Sequence, residues 1–225
     1  MFFEPRYNTL DALACDHRTD KRTCEHGYTE YYYTYFHHLQ SAKLKLLEIG
    51  VGDGASHRMW CEYFPHADIF GIDSTPGCKK HEQDRLKIYI GSQTDRAFLA
   101  KVAADIGKID ILIDDGGHTM QQQTVAFQAL FPVVAAGGVY VIEDTHTSYQ
   151  QPGCSTLYRD SPKTTIEYIK DLIDIVNFIA ASNGGYGNTD RVPPVLAQLD
   201  EETRYLVEHI KAIHICSSIV FIFKK

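Results

Sequence analysis

Two acidic pairs and two histidines are the residues of this 225-residue chain best suited to chemistry. Asp114-Asp115 follows the short apolar run Ile109–Ile113, and Glu143-Asp144 follows Val139–Ile142, with His118 and His146 close behind. Between the runs, Met120–Ala135 reads as a helix, stopped by Pro132 in its last turn or by Gly137-Gly138 just after it. A strand, a helix and a strand make a right-handed crossover, so the two strands are expected to be parallel neighbours. Ligands of open parallel sheets bind beyond the carboxyl ends of the strands, which brings both acidic pairs to one rim. Carboxylates gathered there repel one another unless a cation or a shared proton relieves them. A hard divalent cation would lower the pKa of a hydroxyl, and a histidine would take its proton near neutral pH. A vicinal diol, as on a sugar, could chelate such an ion through both oxygens. Glu143 and Asp144 are consecutive and would face opposite ways on a regular strand, so the strand must end by Glu143 for both to bind one ion.

The elements that position these residues are legible from pattern. Leu44–Val51 is the first strand, followed by the turn Gly52-Asp53-Gly54 and an amphipathic segment over Ser56–Phe64. Glycines there free backbone amides for a ligand at a helix start. Ile69–Asp73 is the second strand, and Asp73, about 20 residues past the turn, suits the two hydroxyls of a ribose. Leu86–Gly91 is the third strand, and Ser92–Asp95 caps a helix running to about Ile106. Residues 147–163 read as a loop, Thr164–Ala181 as a helix, Asn183–Pro194 as a Gly/Pro-rich connection and 196–209 as a short helix. The segment IKAIHICSSIVFIFKK reads as two strands joined by a tight turn near Cys216–Ser218. The fold class is therefore α/β: a Rossmann-like, doubly wound, mostly parallel seven-stranded sheet with a C-terminal antiparallel hairpin. Residues 1–40 form a separate aromatic helical segment, a lid or an oligomerisation surface, with five tyrosines and a phenylalanine in Tyr28–Phe36; residues 41–225 form the main domain.

Composition narrows the classes. A net charge of −7 with no basic stripe argues against nucleic acid as a partner. No apolar run approaches the roughly 20 residues that span a bilayer. The N-terminus shows no basic-then-apolar signal, and six scattered cysteines without a CxxC pair suit a reduced, cytoplasmic setting.

The glycine turn by itself fits two cofactor classes. Gly50-x-Gly52-x-x-Ala55 with Asp73 matches a dinucleotide fingerprint, but Glu48 at the end of the first strand gives ExGxGxG, where a nicotinamide site needs no buried acid. The series LEIGVGDGAS, FGID, GSQTD, IDDGGH and GGVYVIEDTHTSY resembles the class I S-adenosylmethionine-dependent methyltransferases. Within them it is similar to the metal-dependent sugar O-methyltransferases of macrolide biosynthesis and the related cephalosporin-hydroxylase-like proteins, over roughly residues 19–149. The resemblance implies that Glu48, Gly50 and Gly52 hold the methionine end of the donor, Asp73 the ribose and Gln93 the adenine side, with Asp114 near the donor's amino group. It implies Asp115, Glu143 and Asp144 as ligands of Mg2+ and His118 as general base, with His146 the alternative. The function so implied is Mg2+-dependent O-methylation of a sugar or glycosylated small molecule. A catechol or other diol acceptor, an NAD-dependent oxidoreductase and a catalytically idle binding protein are the competing readings. The aromatic N-terminal segment leaves a homo-oligomer open.

Overall fold

The computed structural model describes residues 8–149, 158, 160–182 and 196–225. Its centre is one seven-stranded sheet in the order β3-β2-β1-β4-β5-β7-β6. The strands are β1 (Lys45–Ile49), β2 (Asp68–Asp73), β3 (Leu86–Ile90), β4 (Ile109–Asp114), β5 (Val134–Ile142), β6 (Ile210–Ile215) and β7 (Val220–Lys224). β1 to β5 pair in parallel, while β7 runs antiparallel to both β5 and β6, as the sequence predicts. Seven helices are described: α1 (Thr9–His17), α2 (Tyr28–Phe36), α3 (Ala55–Tyr63), α4 (Arg96–Ile106), α5 (Met120–Leu130), α6 (Thr165–Ser182) and α7 (Glu201–His209). The expected connection over Asn183–Pro194 and most of the 147–163 loop lie outside the described residues.

Alternation along the strands divides the core into two layers, because successive side chains of a strand face opposite sides. Leu46, Ile69, Ile88, Ile111, Val141 and Phe221 pack against Leu10, Tyr28, Tyr32, Trp60 and Phe64 of α1, α2 and the α3 region. Leu47, Ile72, Leu112, Tyr140 and Ile222 face Leu99, Phe127, Ile169 and Leu206 of α4 to α7. Helices on both faces of a mostly parallel sheet complete the doubly wound architecture.

One boundary differs from expectation. The helix predicted to reach Ala135 ends at Leu130, a short 3-10 turn spans Phe131–Val133, and β5 begins at Val134 and runs through both glycines. Pro132 cannot donate to a helical ladder. The ammonium of Lys224 gathers the carbonyls of Phe131, Pro132 and Val134, at 3.2, 3.0 and 2.9 Å, so the turn that follows α5 is satisfied by a side chain from β7.

Candidate active site

The site lies where β1, between β2 and β4, marks the reversal of strand order. At its rim the ladder continues one residue beyond the strands: the Asp115 amide donates to Ile49 O and the Glu143 amide to Asp114 O, both at 3.0 Å. Asp115 and Glu143 are thereby held side by side. Glycine is required at Gly50, against the Asp115 backbone. Its φ is +94°, and a Cβ there would stand 1.9 Å from the Asp115 carbonyl oxygen. Asp144 and His118 also take left-handed backbone, with φ of 52° and 57°. That conformation is uncommon for residues other than glycine, and strain of this kind concentrates at functional sites. It also resolves the consecutive acids, since β5 ends at Ile142 and the chain turns sharply at Asp144.

A cavity of about 580 Å3 opens at this point. Gly50, Val51, Gly52, Asp73, Gln93, Asp115, Gly117 and His118 line it, and Arg18, Thr19, Asp20 and Glu25 approach from the N-terminal segment. The Asp73 carboxylate accepts from the amides of Val51, Gly52 and Thr75 at 2.9, 3.1 and 2.8 Å. Burial alone would raise its pKa, but the amides of Thr75, Gly52 and Val51 together hold it below the usual aspartate value. Gly52, with φ +53°, has nothing within 4 Å of where a Cβ would be, which leaves its backbone open to a ligand. Gln93 accepts from the Gly117 amide at 2.9 Å and donates to Asp114 at 3.1 Å.

Two of the expected donor-binding residues lie beneath the cavity wall. Asp114 is fully buried, and burial pushes its pKa up to about 7, against the pull of bonds from Gly116, Gln93 and Tyr140. Glu48, also fully buried, accepts from Ser56 Oγ at 2.8 Å and has His57 Nδ1 at 3.2 Å. Burial raises the Glu48 pKa and lowers that of His57 to about 3, so His57 is a neutral partner.

The acidic cluster has two sides that share Asp115. On the cavity side, Asp115, His118 and Asp144 each bring a ligand atom within 4.8 Å of the others. His118 Nε2 lies 3.4 Å from Asp144 Oδ2, and its Nδ1 has no hydrogen-bond partner among the described residues. On the inner side, Glu48, Asp115 and Glu143 surround the ammonium of Lys21, whose side chain is wholly buried. It donates to Asp115 Oδ2 at 2.5 Å and to both Glu143 oxygens at 2.8 Å, and Glu48 Oε1 is 3.2 Å away. Burial alone would lower the Lys21 pKa, but Asp115, Glu143 and Glu48 carry it well above the ordinary value. Glu143 also accepts from the Tyr32 hydroxyl; desolvation, and next the charge of Asp115, raise its own pKa.

Asp144 is met by Tyr28 OH at 2.7 Å and by His26 Nδ1 at 3.3 Å, while His146 stands 3.7 Å away and 2.5 Å from Ser218 Oγ. His118 lines the cavity; His146 does not.

Residues 47–145 match a family model described as a methyltransferase domain. The chain carries a class I methyltransferase domain. It is 39% identical over 183 residues to the 8-demethyl-8-(2-methoxy-alpha-L-rhamnosyl)-tetracenomycin-C 3'-O-methyltransferase of Streptomyces olivaceus, a match covering 77% of this chain and 46% of that protein. It is 35% identical over 176 residues to the mycinamicin VI 2''-O-methyltransferase of Micromonospora griseorubida, covering 74% of this chain and 44% of the relative. The chain thus spans about half the length of the curated relatives it matches. The solved MycE methyltransferase of the mycinamycin biosynthetic pathway, in complex with Mg, SAH and mycinamycin VI, superposes with a TM-score of 0.77. That alignment has 30% sequence identity and covers 97% of this chain and 55% of MycE.

Within the methyltransferase site, sequence reasoning missed the N-terminal contribution. The aromatic face of α2 is expected from its spacing, but the use of Tyr28 and Tyr32 as hydroxyl donors to the acids is not. Nothing in the stretch around Lys21 marks it as a partner of three carboxylates. The only local signal is a lysine in a short segment that must lie close to the fold between two helices.

Proposed function

We propose that this chain methylates a hydroxyl group of a sugar or glycosylated small molecule, using S-adenosylmethionine as donor and Mg2+ as an obligatory ion. The observation carrying this reading is that one cavity joins the Asp73 and Gly52 cradle to Asp115 and His118, and that the buried Asp144 brings a carboxylate oxygen within 4.8 Å of both. The relatives named above are sugar and macrolide O-methyltransferases, and MycE was solved with Mg and SAH, which supports the same chemistry here.

The residues fit both groups. A carboxylate organised by three amides is fixed in place to meet a ribose hydroxyl, and the bare backbone of Gly52 admits a ligand. Asp115 and Asp144 supply hard oxygen donors of the kind Mg2+ prefers. Lys21 offsets one of the three charges of Glu48, Asp115 and Glu143, which leaves two, with Asp144 adding a third. Such a cluster is suited to a divalent ion. Asp115, Glu143 and Asp144 would hold it; Glu143 Oε2 accepts only from Lys21 and retains a lone pair.

When bound, the donor supplies an electrophilic methyl group and Mg2+ supplies a Lewis acid that makes an acceptor hydroxyl more acidic. His118, which lines the cavity and has its Nε2 beside Asp144, takes the proton as the acceptor oxygen attacks. Asp144, steadied by Tyr28, orients the imidazole and stabilises it once charged. Asp73 and Gln93 would hold the nucleoside in the cavity that His118 also lines.

The test is transfer of a labelled methyl group to a panel of sugars, glycosides and catechols, with Mg2+ and with EDTA. Labelling of sugar hydroxyls that EDTA abolishes is expected, and Asp115→Ala should lose it while still binding the donor. Normal turnover by Asp115→Ala would remove the metal scheme, and labelling confined to catechols would remove the sugar.

A further inference from the structure

The buried ammonium of Lys21 has no role in the scheme so far except to offset charge. Its surroundings are more specific than that. The Lys21 carbonyl accepts from the Thr29 amide at 3.1 Å and its own amide donates to Thr19 Oγ1 at 3.4 Å, which fixes the backbone between α1 and α2. From there the side chain reaches the midpoint of Glu48, Asp115 and Glu143. Those three carboxylates bring their oxygens within 4.8 Å of one another and would themselves make a cation seat, deeper than the one facing the cavity. The lysine fills it.

We infer that Lys21 is a resident counter-cation: it occupies the inner seat of the acidic cluster, orients Asp115 and Glu143, and confines the divalent ion to the cavity side, next to Asp144 and His118. The inference rests on the metal-dependent reading above and adds a positioning residue to it.

Three physical arguments support a permanent ammonium rather than a placeholder that the ion expels. The side chain is 0% exposed, and the charged groups it meets among the described residues are three carboxylates, of which Glu48 and Glu143 are buried and Asp115 is 20% exposed. Its backbone is held at both the amide and the carbonyl, so the side chain is presented to the seat from a fixed turn before α2. Finally, His118 belongs to the outer seat and not to the inner one, so an ion in the outer seat lies beside the proposed base.

The decisive experiment uses the wild-type protein labelled with 15N-lysine. A lysine ammonium in water exchanges its protons too fast to be seen, whereas a buried, triply paired one gives a persistent 1H–15N signal. One such signal, absent from Lys21→Arg, is expected in EDTA and still present when calorimetry shows Mg2+ saturation. In parallel, Lys21→Met opens the inner seat. Its divalent-ion affinity, measured by calorimetry with Mg2+ and by the electron-spin signal of Mn2+, is expected to rise at least tenfold while turnover at saturating Mg2+ falls at least tenfold. Lys21→Arg, which keeps the charge but not the shape, is expected to bind Mg2+ no more tightly than wild type and to turn over more slowly.

Loss of the ammonium signal as Mg2+ binds would overturn the inference and leave the metal reading standing. Unchanged ion affinity in a folded Lys21→Met would do the same. A persistent signal with no uptake of Mg2+ would overturn the metal reading itself, and this inference with it.

Discussion

Asp114→Asn isolates the cost of a buried acid. The wild-type carboxyl sits at about 7 in the fold against 3.8 in the unfolded chain. Below 3.8 both states hold the proton. Between the two values the folded state keeps a proton that the unfolded state has released, so stability falls as the pH rises, and the fall is complete above 7. A gap of that size corresponds to about 4 kcal/mol. Asparagine keeps the acceptor for Gln93 Nε2 and the Gly116 amide, and its amino group can donate to Tyr140 if that hydroxyl turns. It carries no charge to lose. The difference in unfolding free energy between Asp114→Asn and wild type is therefore expected to grow in favour of the variant by about 4 kcal/mol from pH 4 to pH 8. Urea unfolding in EDTA, followed by the fluorescence of Trp60, the chain's one tryptophan and fully buried, measures it. The other raised carboxylates are common to both proteins and cancel to first order. A difference that stays flat across this range would refute the burial argument for Asp114.

Three further outcomes are expected. Asp73→Ala removes the acceptor of three amides and, on the proposed reading, of the ribose, so donor affinity by calorimetry should fall roughly 10–100-fold; an unchanged affinity would place the ribose elsewhere. Gly50→Ala forces a Cβ onto the Asp115 carbonyl at a left-handed position, so the melting temperature should drop by an amount equivalent to about 2–4 kcal/mol; a normal melting curve would mean that the loop relaxes freely. His118→Asn should lower kcat roughly 100–10,000-fold with donor binding intact, and activity within a few-fold of wild type would transfer the base to His146.

How much could be read in advance depends on range in the sequence. Strand ends marked by abrupt acid, as at Ile113–Asp114 and Ile142–Glu143, are local signals, and the rim they form follows from parallel topology alone. The end of α5 was less legible, because the turn that follows it is held by an ammonium from β7 some 90 residues away. Glu48 and Asp114 belong to strand ends next to the expected cradle, yet burial depth is not a property of spacing, and both lie under the wall rather than on it. Lys21 was invisible for the same reason in stronger form: two of its partners lie 94 and 122 residues further along.

Tyr28 donates to Asp144 and its oxygen also meets the Ser218 hydroxyl at 3.0 Å, the second contact spanning 190 residues. The acidic centre is thus a knot between the first helices and the turn before β7. Made on a ribosome at about 5–20 residues per second, a chain would wait about 10–40 s between the emergence of those two hydroxyls. Contacts of such long range also form late in folding, since loop closure precedes any gain from them. In the meantime Lys21, Tyr28 and Tyr32 can already neutralise or cap the acids of β4 and β5, but the site cannot close around Asp144 until the hairpin of β6 and β7 has docked. A nascent chain of this kind should acquire its donor cradle well before it acquires a competent ion site.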